Sequence, residues 1–311
     1  MNGKLACLCC GTEIPLGALR KTLRDRRKGL SGSWQIVKCD KCGIWAMSPA
    51  PTDAELANYY AAYTPDGCLE VQNGLGSRYP MFRKIFHYLS GDVDPRDFVV
   101  IPQGARVLDY GSGEGTYLRY FHDRGVDIYG AEITDTLVAA ARKRGLNVKK
   151  VDSFDAIPFS DAEFEVVYLM QVFEHLRDPR SFMRELSRIL KQGGALYLAV
   201  PNAASAWRRV FGLNWVSGYF APFHLAHYTK AALARLGSES GFKPVGSWSR
   251  TPDSWLRLNL RAAMYATENS LDSKVTWIDR APIRHAVMAV LRLCELTLRE
   301  RDCLVMKFER Q

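Results

Sequence analysis

The hydrophobic and polar positions divide the chain into an irregular first third and a regular remainder. From Ala105 onward, short apolar runs alternate with amphipathic stretches. The runs at Arg106–Tyr110, Asp127–Glu132, Asn147–Val151, Phe164–Met170 and Ala195–Val200 read as buried parallel strands. Between them the spacing predicts helices at about 116–124, 134–144 and 179–190, with only a turn at 161–163. Such alternation predicts an α/β fold with a doubly wound parallel sheet, which binds its ligands at the carboxyl ends of the strands.

Past the fifth strand the pattern changes. Ala203 to Thr229 is long and aromatic, with Trp207, Phe211, Trp215, Tyr219, Phe220 and Phe223. A helix at about 230–240 follows, with Gly241 as its C-cap, then strands at 243–249 and 303–309. Roughly 50 residues separate those two strands, so a helical insertion at about 251–300 is expected before the last one. Its segments 254–267 and 283–298 are strongly apolar, which suits capping a core, a homodimer interface, a lid or a lipid-facing surface. Upstream, Ser48-Pro-Ala-Pro51 reads as a stiff connector. Thr52-x-x-Glu55 is a capping box opening a helix to about Ala62, which carries Leu56, Tyr59 and Tyr60, with Tyr63 just beyond. A second helix is expected at 79–90, ahead of a Pro- and Asp-rich link at 92–102. The expected organisation is a small module at 1–50, a helical linker at 51–102 and the main domain at 103–311.

The chain has 311 residues, 47% of them apolar and 24% charged, as in an ordinary globular protein. No run approaches the roughly 18 uncharged apolar residues of a membrane span. The N-terminal apolar stretch is too short for a secretory signal, so a cytoplasmic location is expected. A net charge of +9 permits an acidic partner without demanding one. Four of the eight cysteines form two Cys-x-x-Cys-Gly knuckles: Cys7, Cys10, Gly11 and Cys39, Cys42, Gly43. Two such pairs 28 residues apart suit one tetrahedral Zn²⁺ in a zinc-ribbon-like module. Cys9 is a rival ligand, but only Cys7 has the two-residue spacing to Cys10. Four protein ligands leave no open position, so the expected role is structural. Disulfides are the less expected use in a reducing compartment. Between the knuckles lies the basic run Arg20-Lys21 and Arg24-Asp25-Arg26-Arg27-Lys28. It reads as a contact for RNA or another polyanion, or as a solvated loop or helix face. Without interleaved aromatics to stack on bases, the solvated loop is favoured.

The stretch Gly111-Ser-Gly-Glu-Gly115 follows the first strand of the regular region. Glycines there allow φ > 0 and let the backbone approach a ligand closely. The helix that follows directs its free N–H groups and positive dipole end back into the turn. The dinucleotide fingerprint requires glycine at position 116, which is Thr, so that pattern fails. Glu132 ends the second strand about 20 residues on, where a carboxylate can accept ribose hydroxyls.

Asp109-x-Gly111-x-Gly113-x-Gly115 resembles motif I of the class I S-adenosylmethionine (SAM) methyltransferases, position for position. The resemblance extends over about residues 105 to 241. Glu174-His175-x-x-Asp178-Pro179 is similar to the element found in ubiquinone-biosynthesis-type O-methyltransferases and their natural-product and glycan-pathway relatives. Two cysteine knuckles followed by a Tyr-rich helix also recur among such relatives, sugar methyltransferases included. The resemblance implies a Rossmann-like methyltransferase sheet, SAM as cofactor, and Asp152 as an adenine contact. The cofactor residues expected are Asp109, Tyr110, Gly111, Ser112, Gly113, Gly115, Glu132, Ile133, Asp152, Ser153 and Gln171.

Methyl transfer from a sulfonium is a displacement in which the protein aligns the reactants and deprotonates the acceptor. His175, just beyond the fourth strand, is the first candidate base, and His224 and His227 are the next. Glu174 with these three histidines could instead hold a divalent cation that lowers the acceptor's pKa. Some relatives carry an acid four residues before this histidine, where the chain has Gln171, which weakens the metal reading. Three functions follow: methylation of a hydroxyl on a small molecule or saccharide, methylation of RNA steered by the zinc module, and a binding module without activity. The full set of cofactor positions argues against the third.

Overall fold

The computed structural model describes residues 4–15, 20–62, 94–153, 157–265, 271, 276–277, 280–295, 298 and 300–311. Tyr63 and the helix expected at 79–90 lie outside them. The N-terminal part opens with strands β1 (Lys4–Ala6) and β2 (Glu13–Pro15), which pair antiparallel. β3 (Arg20–Leu23), β4 (Trp34–Lys38) and β5 (Trp45–Ser48) then form an antiparallel meander. Helix α1 (Asp53–Ala62) starts at the expected capping box: the Thr52 N–H donates to Glu55 Oε2 at 2.6 Å and the Glu55 N–H to Thr52 Oγ1 at 3.2 Å. A single turn, α2 (Pro95–Phe98), is capped by Asp94.

The main sheet is built from β6 (Arg106–Tyr110), β7 (Asp127–Glu132), β8 (Val148–Lys150), β9 (Phe164–Met170) and β10 (Leu190–Pro201). Helices α3 (Thr116–His122), α4 (Asp135–Lys143) and α5 (Pro179–Ile189) lie between them. Then come α6 (Ala206–Phe211), the turn α7 (Val216–Tyr219), the short strand β11 (Ala226–His227), α8 (Lys230–Ser238) and β12 (Phe242–Arg250). Two helices, α9 (Asp253–Met264) and α10 (Ala281–Glu295), form the expected insertion before β13 (Cys303–Arg310). The seven strands run in the order β12-β13-β10-β9-β6-β7-β8. β10, β9, β6, β7 and β8 pair in parallel, whereas β13 pairs antiparallel with both β10 and β12.

The boundaries differ from expectation mainly at β10, which begins at Leu190 rather than Ala195 and pairs with β9 through a register shift there. Amphipathicity makes the sandwich. α5 opens on Asp178, which accepts from the Ser181 N–H at 2.9 Å, with Pro179 in the first turn. It buries Phe182, Met183, Leu186 and Ile189. Phe182 meets Tyr110 of β6 edge-on at 5.1 Å. Substituting Ala for one of these large core residues costs roughly 2–5 kcal/mol.

The cysteine module is not set apart from this sheet. β11 of the main domain pairs antiparallel with β5, so a four-stranded sheet runs β11-β5-β4-β3 across the presumptive boundary at residue 50. Cys7, Cys9, Ile14 and Ile44 share one buried cluster with Leu108, Phe182 and Leu233. Arg180 Nε donates to the Cys9 carbonyl at 2.5 Å, and Arg177 donates to the carbonyl of Pro51. No helix among the described residues is long and apolar enough to cross a membrane.

Candidate active site

The glycine turn closes on the carboxyl ends of β6 and β7. Gly111, Gly113 and Gly115 all have positive φ, at 79°, 57° and 82°. The N–H groups of Gly111 and Ser112 donate to the Ala131 carbonyl at 2.8 and 3.0 Å. A Cβ at Gly111 would stand 2.3 Å from Val172 Cγ2, so the turn lies directly against the segment leaving β9. Gly130 is required as well, because a Cβ there would meet Ser112 Oγ at 2.7 Å.

Glu132 is buried and its carboxylate is committed to backbone donors. Oε2 accepts from the Gly113 N–H at 2.9 Å, and Oε1 accepts from the N–H groups of Ile133 and Thr134, both at 2.8 Å. A carboxylate offers about four lone-pair sites, so these three leave capacity for a further donor. Asp109 is buried beside it, and its Oδ2 makes no hydrogen bond. Burial pushes this carboxyl up to about 7; the Tyr168 hydroxyl holds it down in part and Glu132 raises it further. Ser112 Oγ is likewise buried without a hydrogen-bond partner. An unpartnered hydroxyl and an unpartnered carboxyl oxygen beside the glycine turn fit a polar ligand there. The side chain of Tyr110 packs into the core against Phe182, which leaves its backbone to face the glycine turn. Ile133 is partly buried at the start of the next turn, while Asp152 and Ser153 are exposed beyond β8.

Beyond β9 the backbone is strained. Gln171 has φ 58°, a region that costs a residue with a Cβ about 1–3 kcal/mol and gathers at functional sites. Its Nε2 donates to Cys303 Sγ at 3.2 Å, and its Oε1 is buried without a partner. A 3₁₀ turn, Phe173–His175, follows. His175 Nδ1 lies 3.0 Å from the Phe223 carbonyl and His224 Nδ1 2.8 Å from the Gly218 carbonyl. His227 Nδ1 lies 3.4 Å from the carbonyl of Trp45, reaching into the cysteine module. A carbonyl only accepts, so each Nδ1 carries the proton, and the backbone of Gln171 also meets the His175 ring. The rings of His175 and His224 meet edge-on at 4.8 Å, and those of His224 and His227 at 6.3 Å.

Glu174 is fully buried between them, with neither carboxyl oxygen hydrogen-bonded. His224 Nε2 stands 3.7 Å from Glu174 Oε1. Burial draws His175 and His227 down to about 4 and His224 well below its usual value, with the neighbouring His175 adding to the effect on His224. Burial pushes Glu174 up to about 8. At neutral pH the cluster is therefore uncharged: three imidazoles and one carboxylic acid. One ligand atom from each of Glu174, His175 and His224 falls within 4.8 Å of the others, so these three could hold a divalent cation.

The four knuckle sulfurs also converge within 4.8 Å of one another. Cys7 and Cys42 Sγ are 3.4 Å apart, and Cys10 and Cys39 Sγ 3.5 Å apart. Both knuckles turn alike, the N–H of Gly11 donating to the Cys7 carbonyl at 2.9 Å and that of Gly43 to the Cys39 carbonyl at 2.8 Å. Cys9 is outside this group of four, its Sγ 3.9 Å from the Ala232 carbonyl. Four soft donors at this spacing fit a closed zinc site.

The basic run departs most from expectation. Arg24 and Lys28 are exposed, as in a solvated loop, while Asp25, Arg26 and Arg27 are tied into the fold. Asp25 is buried and accepts from the N–H groups of Arg27, Lys28 and Leu30 at 2.9, 3.2 and 3.0 Å. Arg26 donates to Asn214 Oδ1 and to the carbonyls of Ala262 and Tyr265 at 2.9 and 2.6 Å. The Arg27 guanidinium lies 4.2 Å over the ring of Phe220. The only hint in the sequence was an acid inside a run of arginines, and the partners of Arg26 lie 188 to 239 residues away.

Residues 81–246, just over half of the chain, match a family described as a methyltransferase domain. The chain is 26% identical over 155 residues to the ubiquinone biosynthesis O-methyltransferase of Bordetella avium, across 46% of this chain and 64% of that protein. It is 32% identical over 109 residues to the protein of the same name from Xanthomonas oryzae pv. oryzae, across 33% of this chain and 46% of that one. The chain thus spans between about half and two thirds of the length of these curated relatives. A SAM-dependent methyltransferase structure from Mesorhizobium loti superposes with a TM-score of 0.47 at 17% identity, over 70% of this chain and 96% of that one. With the seven-stranded sheet, the glycine turn and the domain match together, the chain belongs to the class I SAM-dependent methyltransferases.

Proposed function

We propose that the protein transfers a methyl group from SAM to a hydroxyl of a small molecule or saccharide. The observation that carries this reading is the contact between the glycine turn and Val172, whose carbonyl accepts the His175 N–H at 3.0 Å. It places a nucleoside-type turn and a cluster of neutral imidazoles at one edge of the sheet. The relatives named for O-methylation in ubiquinone biosynthesis support a hydroxyl acceptor.

SAM, when bound, supplies an electrophilic methyl on a sulfonium. Gly111, Gly113 and Gly115 would let the backbone approach it, with Asp109, Ser112 and Glu132 as polar partners and Ile133, Asp152, Ser153 and Gln171 around the rim. His175 Nε2 takes the acceptor's proton as the acceptor oxygen takes the methyl group. The proton then rests on the His175 imidazolium until it passes to solvent, with Glu174 remaining a neutral carboxylic acid beside it. His224 and His227 orient this pair through their Nδ1–H bonds to the backbone. Cys7, Cys10, Cys39 and Cys42 would hold one structural zinc, and the thiols such a site needs suit the cytoplasm.

Isothermal titration with SAM, S-adenosylhomocysteine, NAD and ATP tests the reading. The first two should bind one per chain, and the last two should give no comparable heat. Absence of SAM binding overturns it.

A further inference from the structure

Asp302 immediately precedes β13 and is fully buried, with side-chain donors on both of its oxygens. Oδ1 accepts from the Ser205 hydroxyl and from Trp215 Nε1, the latter at 2.8 Å, and Oδ2 accepts from Asn259 Nδ2 at 3.4 Å. These donors belong to three elements: the N-cap of α6, the N-cap of α7 and the middle of α9. Burial pushes the carboxyl up to about 7; the Ser205 and Trp215 donors hold it down in part and Glu295 raises it further. Two of its partners grip the same turn. Asn259 Oδ1 accepts from the Ser217 N–H at 3.0 Å. The Trp215 ring lies against Gly218, where a Cβ would stand 2.1 Å from Cη2. So α7 is held at Ser217 by Asn259 and at Gly218 by Trp215, and both holders hang on Asp302. The Gly218 carbonyl is in turn the acceptor for His224 Nδ1 at 2.8 Å. His224 Nε2 then stands 3.7 Å from Glu174 Oε1, and its ring meets that of His175 at 4.8 Å.

Resting on the methyltransferase reading, we infer that Asp302 is a positioning residue for the histidine pair: by holding Trp215 and Asn259 it aims the Gly218 carbonyl at His224, and so fixes the tautomer and orientation of that ring beside His175. A neutral imidazole carries one N–H, and the acceptor it faces decides which nitrogen bears it. If the peptide at 218 turned away, Nδ1 would lose its acceptor and the proton would be free to move to Nε2. The donor and acceptor ends of the ring would then be reversed next to the candidate base. A close-packed interior passes such a displacement on rather than absorbing it. Cys303, the next residue, reaches the same edge of the sheet from the other side. Its Sγ accepts from Gln171 Nε2 at 3.2 Å, and the Gln171 backbone meets the His175 ring. The last strand therefore opens on two neighbours, one leading to each histidine.

The test rests on an exchange that keeps every one of these hydrogen bonds. In Asp302→Asn the side-chain oxygen still accepts from Ser205 and Trp215, but the new NH₂ faces the NH₂ of Asn259, so that arm is lost. Asn259→Asp alone sets two carboxylates against each other. Together the two substitutions restore the contact, because the amide at 302 donates to the carboxylate at 259, whose other oxygen still accepts from the Ser217 N–H. Full-length chains carrying ¹⁵N-labelled histidine are compared by their imidazole nitrogen shifts at about pH 7.5, where Asp302 is largely ionised, with thermal unfolding recorded for each. His224→Gln assigns the His224 signals. In wild type and in the double variant His224 should carry its proton on Nδ1. In Asp302→Asn the ratio of the two tautomers should shift toward Nε2–H by about tenfold, the effect of one lost hydrogen bond. Trp215→Phe keeps a ring against Gly218 and removes only the N–H, and should shift the ratio the same way. If Asp302→Asn does not fold, the double variant should regain both the wild-type melt and the wild-type tautomer. A melting temperature lowered in Asp302→Asn and Trp215→Phe with the tautomer unchanged overturns the inference, leaving Asp302 a brace of the fold alone. A double variant no closer to wild type than Asp302→Asn overturns it too. SAM titrated into wild type separates the two readings. SAM binding with a His224 tautomer indifferent to Asp302 removes this inference alone, and absence of SAM binding removes the methyltransferase reading together with the role assigned to Asp302.

Discussion

The Gly113 N–H donates to Glu132 Oε2 at 2.9 Å, so the acid at the end of β7 latches the glycine turn that follows β6. Glu132 thus holds the turn's conformation, and on the proposed reading it would also meet the ligand. Glu132→Ala should weaken SAM by roughly 1.5–3 kcal/mol, the value of a hydrogen bond to a charged group, and should also lower the melting temperature. Titration calorimetry and a thermal melt read the two effects separately. Undiminished SAM affinity in this variant would remove Glu132 from the site.

Gly111 has no room for a side chain. A Cβ there would stand 2.3 Å from Val172 Cγ2, at a backbone φ of 79°. Gly111→Ala should cost on the order of 1–3 kcal/mol in stability and displace the turn that carries His175. Denaturant unfolding with a methyl-transfer assay checks this, and a variant of wild-type stability and turnover contradicts it.

The histidines should make the rate insensitive to pH near neutrality. An imidazole drawn down to about 4 accepts a proton only above that value, so the rate should rise with pH around 4 and be level by 6. The rise lies below the usual imidazole range because burial disfavours the charged ring. His175→Ala should lower kcat by roughly 10²–10⁴ with SAM binding unchanged. Turnover abolished by a chelator and restored by Mg²⁺ would instead assign the cluster of Glu174, His175 and His224 to a metal.

Glu174 gives a stability signature with a definite sign. Its folded value, about 8, exceeds the unfolded 4.5, so the folded state holds the proton between those limits. The contribution is full below about 4.5 and is lost as pH rises through 8. Glu174→Gln stays neutral throughout. Wild type should therefore lose about 1.4 kcal/mol per pH unit relative to the variant across that window. Parallel stability curves for the two proteins would refute a protonated Glu174.

Zinc removal should reach the acceptor side before the cofactor side. Trp45, three residues after Cys42, pairs with His227 across β5 and β11 and accepts from its Nδ1. Cys39→Ser should release the metal, measured by elemental analysis, and raise KM for the acceptor, with SAM affinity close to wild type. Equal protease resistance of residues 1–50 with and without metal would count against a structural zinc.

Much of the sheet was legible because its information is local. Periodicity placed β6, β7 and β9 at their observed residues, since a buried strand must be apolar over its own length whatever it packs against. The glycine turn and the two knuckles were legible for a related reason: φ > 0 and metal-ligand spacing are written into neighbouring residues. What the tertiary structure decided are the relations between distant residues. The sequence marked the three histidines as possible bases, but burial alone makes them neutral and weakly basic. It showed Glu174 as one acid among 33 Asp and Glu residues, and only enclosure without a hydrogen bond keeps its proton on. The run around Arg27 looked like a solvated loop, because charged residues usually are solvated. Its place over Phe220 is set by β5 pairing with β11, a contact about 180 residues apart that no local pattern encodes.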